Sequence, residues 1–89
     1  MLIPSYGAQF NRDLKRITKR GWDVATLKRL MSILIEESSL DPSYKDHALG
    51  GAWKGCRDAH VKGDYILIYS ITKQAIAFVR VGSHSDIFE

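Results

Sequence analysis

Apolar residues recur at helical spacing along the first third of the chain and at strand spacing along the last third. Phe10, Leu14 and Ile17 lie four and three residues apart, the period of one helix face, so a helix is predicted from Gln9 to Arg20 with Gly21 as its stop. A second helix is predicted from about Asp23, which suits an N-cap, to about Glu37. Val24, Leu27, Leu30, Met31, Leu34 and Ile35 give it a broad apolar stripe. Gly21 then reads as the joint of a helical hairpin. Leu2 to Tyr6 suits a short opening strand, which Pro4 confines to a sheet edge or a first position.

Ser38 to Gly51 contains Pro42, Gly50 and Gly51 and few apolar residues, and reads as loop. Beyond Ala52 the chain is rich in β-branched and aromatic residues. Trp53 to Val61, Asp64 to Ile71 and Ala75 to Gly82 are predicted strands, joined near Lys62-Gly63 and Thr72-Lys73-Gln74. Turns this short force antiparallel neighbours. Helices first and a meander after them predict an α+β domain, with the two N-terminal helices packed on one face of a small, mainly antiparallel sheet.

Composition narrows the picture. Eighty-nine residues allow one domain, spanning 1–89. Cys56 is the single cysteine, so no internal disulfide is available and a reducing, cytoplasmic setting is expected. The apolar run Ile66 to Tyr69 is strand-length, against the roughly 20 residues a spanning helix needs. No targeting segment or membrane association is expected. Thirteen Lys and Arg against ten Asp and Glu give a net charge of +3, which suits a polyanionic partner. Arg12, Lys15, Arg16, Lys19, Arg20, Lys28 and Arg29 crowd the first third, and Glu36, Glu37, Asp41 and Asp46 follow as an acidic patch.

Candidate chemistry comes from topology. With Lys62-Gly63 as a two-residue turn, His60 is expected across from Tyr65, with Asp64 beside the turn. With the next turn centred near Lys73, Gly82 is expected opposite Asp64 and His84 just beyond. His60, Asp64, Tyr65 and His84 then cluster at one end of the sheet. Such a group suits RNA cleavage by internal transesterification, in which a ribose 2′-hydroxyl loses a proton and the departing 5′-oxygen gains one. An imidazole, with an ordinary pKa of about 6.5, serves either step near neutrality. A carboxylate beside it orients the ring, a tyrosine ring stacks on an unpaired base, and Arg57, Lys62 or Arg80 supply cations for the phosphate.

Plainer readings stand beside these. A histidine at a strand end is commonly a solvated or capping residue, and it is the convergence of two that argues for a site. Tyr65, Tyr69, Phe78 and Trp53 also suit packing, Arg57 and Asp58 suit cross-strand pairing, and a basic helix suits a solvated face. The wide spacing of His47, His60 and His84, with one cysteine, does not suggest a zinc site. Cys56 reads as a small buried hydrophobe, and no glycine-rich phosphate loop follows a strand. Neither metal nor organic cofactor is expected.

The sequence Tyr44-Lys45-Asp46-His47 followed by Leu49, then Trp53-Lys54-Gly55 and Arg57-Asp58-Ala59-His60, resembles the YafQ branch of RelE-type toxins, within the RelE/ParE superfamily of type II toxin–antitoxin systems. So do Asp64 to Tyr69 and the ending Gly82-Ser83-His84-Ser85-Asp86-Ile87-Phe88. The resemblance implies a RelE-like fold with an RNA-binding surface on the face opposite the helices. It implies metal-independent cleavage of messenger RNA on the ribosome, inhibition of translation, silencing by a cognate antitoxin, and contact with operator DNA only through the antitoxin complex. The family's functional positions fall on His47, His60, Asp64, Tyr65, His84 and Phe88, with tyrosine at 65 where the best-known member has tryptophan. His60 and His84 are the main candidates for proton transfer, His47 is a third or a phosphate-binding group, and Phe88 is expected to pack against RNA. A non-catalytic RNA-binding or ribosome-binding module, or an operon-repressing one, is the alternative within the same fold.

Overall fold

A computed structural model describes residues 1–88. Its elements are β1 (Ile3–Tyr6), α1 (Ala8–Lys19), α2 (Val24–Ile35), β2 (His47–Ala48), β3 (Arg57–Lys62), β4 (Tyr65–Thr72), β5 (Ala75–Gly82) and α3 (His84–Phe88). The two long helices end in the same way. After α1, Gly21 turns left-handed at φ +77°, and the Gly21 and Trp22 amides donate back to the Thr18 and Ile17 carbonyls, a Schellman arrangement that satisfies the orphan carbonyls. After α2, Glu37 takes the left-handed position at φ +58°, where glycine would be less strained. Asp23 caps α2 by accepting from the Thr26 amide at 2.9 Å.

The strands form one sheet in the order β1-β5-β4-β3-β2, with β1 parallel to β5 and the other pairs antiparallel. Leu67, Tyr69, Phe78 and Val81 from the sheet close over Phe10, Ile17, Leu27 and Leu30 from the helices to make the main core. A smaller cluster of Ile66, Ile68 and Ile87, flanked by Trp53 and Val79, lies apart from it. It fastens the short α3 to the sheet.

Two expectations are corrected here. The segment read as loop contains β2, and the strand predicted from Trp53 begins at Arg57 instead. Residues Gly51–Trp53 coil into a 3₁₀ turn, Gly55 sits at φ +92°, and the Cys56 amide donates to the Trp53 carbonyl at 2.9 Å. Glycine's freedom at positive φ lets the chain fold back there, which an extended strand cannot do.

Asp13 explains how β5 keeps its edge. Strand β1 pairs with β5 only as far as Phe78, and the Val81 amide beyond it donates to the Asp13 carboxylate at 3.1 Å. Asp13 is fully buried on the apolar face of α1. Burial pushes its carboxyl upward, but hydrogen bonds from Arg80, Gln9 and the Val81 amide outweigh that and hold it below the ordinary range.

Candidate active site

Cross-strand partners share a sheet face, and one row of partners carries the candidate chemistry. His47 pairs with Asp58, and Asp58 with Ile68. Two residues along β3, His60 pairs with Ile66, which on its other side pairs with Gly82. Ile66 and Ile68 belong to the cluster apart from the main core, so His47, Asp58 and His60 stand on the face away from α1 and α2.

The register differs from the sequence expectation in both pairs. The first turn is Gly63-Asp64 rather than Lys62-Gly63, with Lys62 opposite Tyr65, and a bulge between His60 and Lys62 then sets His60 opposite Ile66 rather than Tyr65. The second hairpin pairs Thr72 with Ala75, and a further one-residue irregularity after Ile68 completes the shift that sets Gly82 opposite Ile66 rather than Asp64. His60 and His84 therefore approach from the two sides of β4. Their ring centroids are 5.8 Å apart, and those of His47 and His60 6.4 Å apart. The row continues from His84 to Phe88 at 5.9 Å and from Phe88 edge-on to Trp53 at 5.6 Å. Trp53, read from sequence as packing, is thus the far end of a line of five rings.

Each imidazole is held by the same nitrogen. Nδ1 of His47 lies 2.9 Å from the Lys45 carbonyl, and Nδ1 of His60 lies 3.0 Å from the Gly63 carbonyl. Nδ1 of His84 meets the Asp64 carboxylate, which also accepts from the His84 backbone amide at 2.9 Å. Carbonyls and carboxylates only accept, so Nδ1 is the donor in each of these contacts and Nε2 takes no part in them. The bonds from the His84 amide and then its ring hold the Asp64 carboxyl below the ordinary range, so it is a carboxylate near neutrality.

From sequence Arg57 and Asp58 suit only cross-strand pairing, yet Asp58 sits inside the site. It is 2% exposed, its Oδ1 is buried without a hydrogen-bond partner among the described residues, and that oxygen lies 3.6 Å from Nε2 of His60. The alternation of β-strand side chains is the signal that places residue 58 on the same face as residue 60. Asp58, His60 and His84 each offer one ligand atom within 4.8 Å of the others. The wide spacing that argued against a metal-ligand set therefore does not describe the folded chain, whose topology assembles a two-nitrogen, one-oxygen set suited to a divalent cation.

Tyr65 does not join the histidines. Residue 66 shares the face of His60, so residue 65 points the other way, into the main core. Tyr65 is 5% exposed, its ring lies 4.8 Å from that of Trp22, and its hydroxyl donates to the Asp23 carbonyl at 3.1 Å. Burial pushes the phenol up to about 12. A ring so placed cannot stack on a base at the histidines.

The three expected phosphate cations are also already paired. Arg57 donates to Asp46 at 2.7 Å, and the Tyr69 hydroxyl donates to the same carboxylate, which pins the residue preceding His47. Lys62 reaches Asp23 at 3.0 Å. Arg80 donates to buried Asp13 at 2.7 Å and to the Asp86 carbonyl at 3.3 Å.

Residues 3–89 match the family described as "Bacterial toxin of type II toxin-antitoxin system, YafQ". The mRNA interferase toxin YafQ of Escherichia coli strain K12 is 46% identical over 84 residues, covering 93% of this chain and 91% of the relative. YafQ in the crystal structure of the E. coli DinJ–YafQ complex superposes with a TM-score of 0.93 at 43% identity, covering 100% of both chains. A metal-bound toxin from Helicobacter pylori superposes with a TM-score of 0.91 at 41% identity, covering 99% of this chain and 100% of the other. The chain belongs to the YafQ family of bacterial toxins from type II toxin–antitoxin systems.

Proposed function

We propose that this protein is an mRNA interferase, an endoribonuclease that cuts messenger RNA held on the ribosome and is silenced by a cognate antitoxin. The observation that carries the mechanism is the row of three imidazoles, each anchored through Nδ1 with Nε2 left for proton exchange. In the reaction the substrate's own 2′-hydroxyl oxygen attacks the adjacent phosphorus, and the bond from phosphorus to the 5′-oxygen breaks. One Nε2 takes the 2′ proton and another imidazolium delivers a proton to the departing 5′-oxygen, leaving a 2′,3′-cyclic phosphate and a 5′-hydroxyl. His60 and His84 face one another across the start of β4 and serve these two transfers, with His47 as the third group. Asp64 fixes the tautomer of His84, and a protonated His60 finds the partnerless Asp58 oxygen. Phe88, 40% exposed, offers its ring to an RNA base, the part that buried Tyr65 does not play. The ribosome supplies in-line orientation by presenting the messenger in a fixed shape.

The partner is a small antitoxin, as in the E. coli DinJ–YafQ complex, and contact with operator DNA is made through that complex. The donor set of Asp58, His60 and His84 also fits a divalent cation, and the H. pylori toxin of the same fold is a metal-bound one. Bound there, the ion would act as a Lewis acid and occupy the imidazole lone pairs, so it competes with proton transfer. Expressing the chain without a partner and mapping messenger RNA ends tests the function. New 5′ ends within translated regions, absent with His84→Ala and suppressed by co-expressed antitoxin, are expected. Growth arrest with intact messengers would refute an interferase.

A further inference from the structure

The helix that carries His84 and Phe88 is five residues long, too short to persist on its own because helix nucleation is unfavourable. Something outside it must fix its place. Inside the helix, Ser83 and Asp86 form a reciprocal cap: the Ser83 amide donates to Asp86 Oδ2 at 3.0 Å and the Asp86 amide donates to Ser83 Oγ at 3.1 Å. The same Asp86 carboxylate leaves the helix's own circuit. Arg20, at the end of α1, forks onto both its oxygens at 2.7 and 3.1 Å, and Arg16 reaches Oδ1 at 3.4 Å. Asp86 thus both starts α3 and ties it to α1, 66 residues away along the chain. Arg20 is itself steadied by Trp22, its guanidinium 5.4 Å from the ring centroid.

From this geometry we infer that Arg20 and Asp86 are a pair of positioning residues that hold α3 so that His84 meets Asp64 and faces His60. Neither touches the imidazole row. They act through the helix start: His84 directly follows Ser83, whose backbone amide is held by Asp86, and the His84 amide and ring are both committed to Asp64. Releasing Arg20 leaves the start of α3 on weaker ties, the Ile87 packing, the Arg80 bond to the Asp86 carbonyl and the 3.4 Å Arg16 contact, and a misplacement of about 1 Å at a reacting group costs up to roughly a hundredfold in rate. The inference rests on the reading of His84 as a proton-transfer group, and its test separates the two.

Arg20→Met removes the fork, and Asp86→Asn halves it while keeping an oxygen for the Ser83 amide. Both variants, checked for wild-type folding by circular dichroism, are assayed in single-turnover cleavage of messenger on ribosomes, with amide hydrogen exchange at His84 followed by NMR. Each is expected to lower the maximal rate about tenfold, to leave the ribosome concentration at half-maximal rate unchanged, and to speed His84 exchange several-fold. The double variant should lose no more than the worse single, since both act through one contact, and Arg20→Lys, which keeps the charge but not the fork, should recover part of the rate. Unchanged exchange, independent and multiplying rate losses, or a loss confined to half-saturation would overturn the inference, the last marking Arg20 as an RNA contact instead. Faster exchange together with a fully active His84→Ala protein would support the positioning pair and refute His84 as catalyst.

Discussion

Residues that share an environment in this site were separated by the sequence in different ways. His60 and His84 were legible as neighbours because two short turns must bring the ends of β3 and β5 to the same end of β4. Tyr65 was misplaced because a one-residue bulge reverses which face each side chain takes, and no residue type in Val61-Lys62-Gly63-Asp64 announces a bulge. Asp58 was within reach of the same alternation argument but was read against its neighbour Arg57 instead. Its partnerless oxygen leads to a prediction about metals. Zinc or copper(II) added to the purified toxin is expected to slow cleavage, and Asp58→Asn to weaken that inhibition by at least several-fold, since it removes an anionic ligand. Isothermal titration with zinc alone checks the binding; no detectable binding, or inhibition unaltered by Asp58→Asn, would remove the cation from these residues.

Among the elements, the long helices and the longer strands were readable because period and length agree there. Strand β2 has two residues and exists through its pairing with β3, so no window of sequence carries it. Asp13 did leave a signal, an acid three residues from Phe10 and four from Ile17 on the buried face of α1, where an unpaired charge would be costly. Asp13→Asn is expected to destabilise the protein by about 3 kcal/mol by stranding the largely buried Arg80. A carboxyl held below its unfolded pKa, about 3.9, contributes stability that is present above that value and is lost as pH falls through the folded pKa. The gap in stability between the wild type and Asp13→Asn should therefore be widest near neutrality and shrink below about pH 4. Urea unfolding at several pH values measures it; a gap that widens on acidification would mean that Asp13 is not the stabilising carboxylate. Gly82 makes a parallel case, because a Cβ there would stand 2.9 Å from Asp86 Oδ2, on a backbone at φ +154°. Gly82→Ala is expected to displace α3 and lower cleavage more than it lowers the melting temperature, and unchanged cleavage would show that α3 absorbs the methyl.

At the scale of the whole molecule, the two sheet faces divide the work. One is closed by α1 and α2 over the main core, and the other bears the imidazole row with α3 and the segment carrying Leu49, Trp53 and Cys56 beside it. The net charge of +3 favours anionic partners on the exposed surfaces, so antitoxin affinity is expected to weaken as salt rises, mainly through slower association; a salt-independent association rate would point to an apolar interface. No helix among the described residues is long and apolar enough to cross a membrane. The central claim, that the imidazoles move protons for a nucleophile already in the substrate, is tested most directly by replacing the ribose at the cleavage position with 2′-deoxyribose in a messenger bound to ribosomes. Cleavage should vanish at that position, while the all-ribose messenger yields a 5′-hydroxyl and a 2′,3′-cyclic phosphate. A cut that survives the deoxy substitution, or one that leaves a 5′-phosphate, would contradict it.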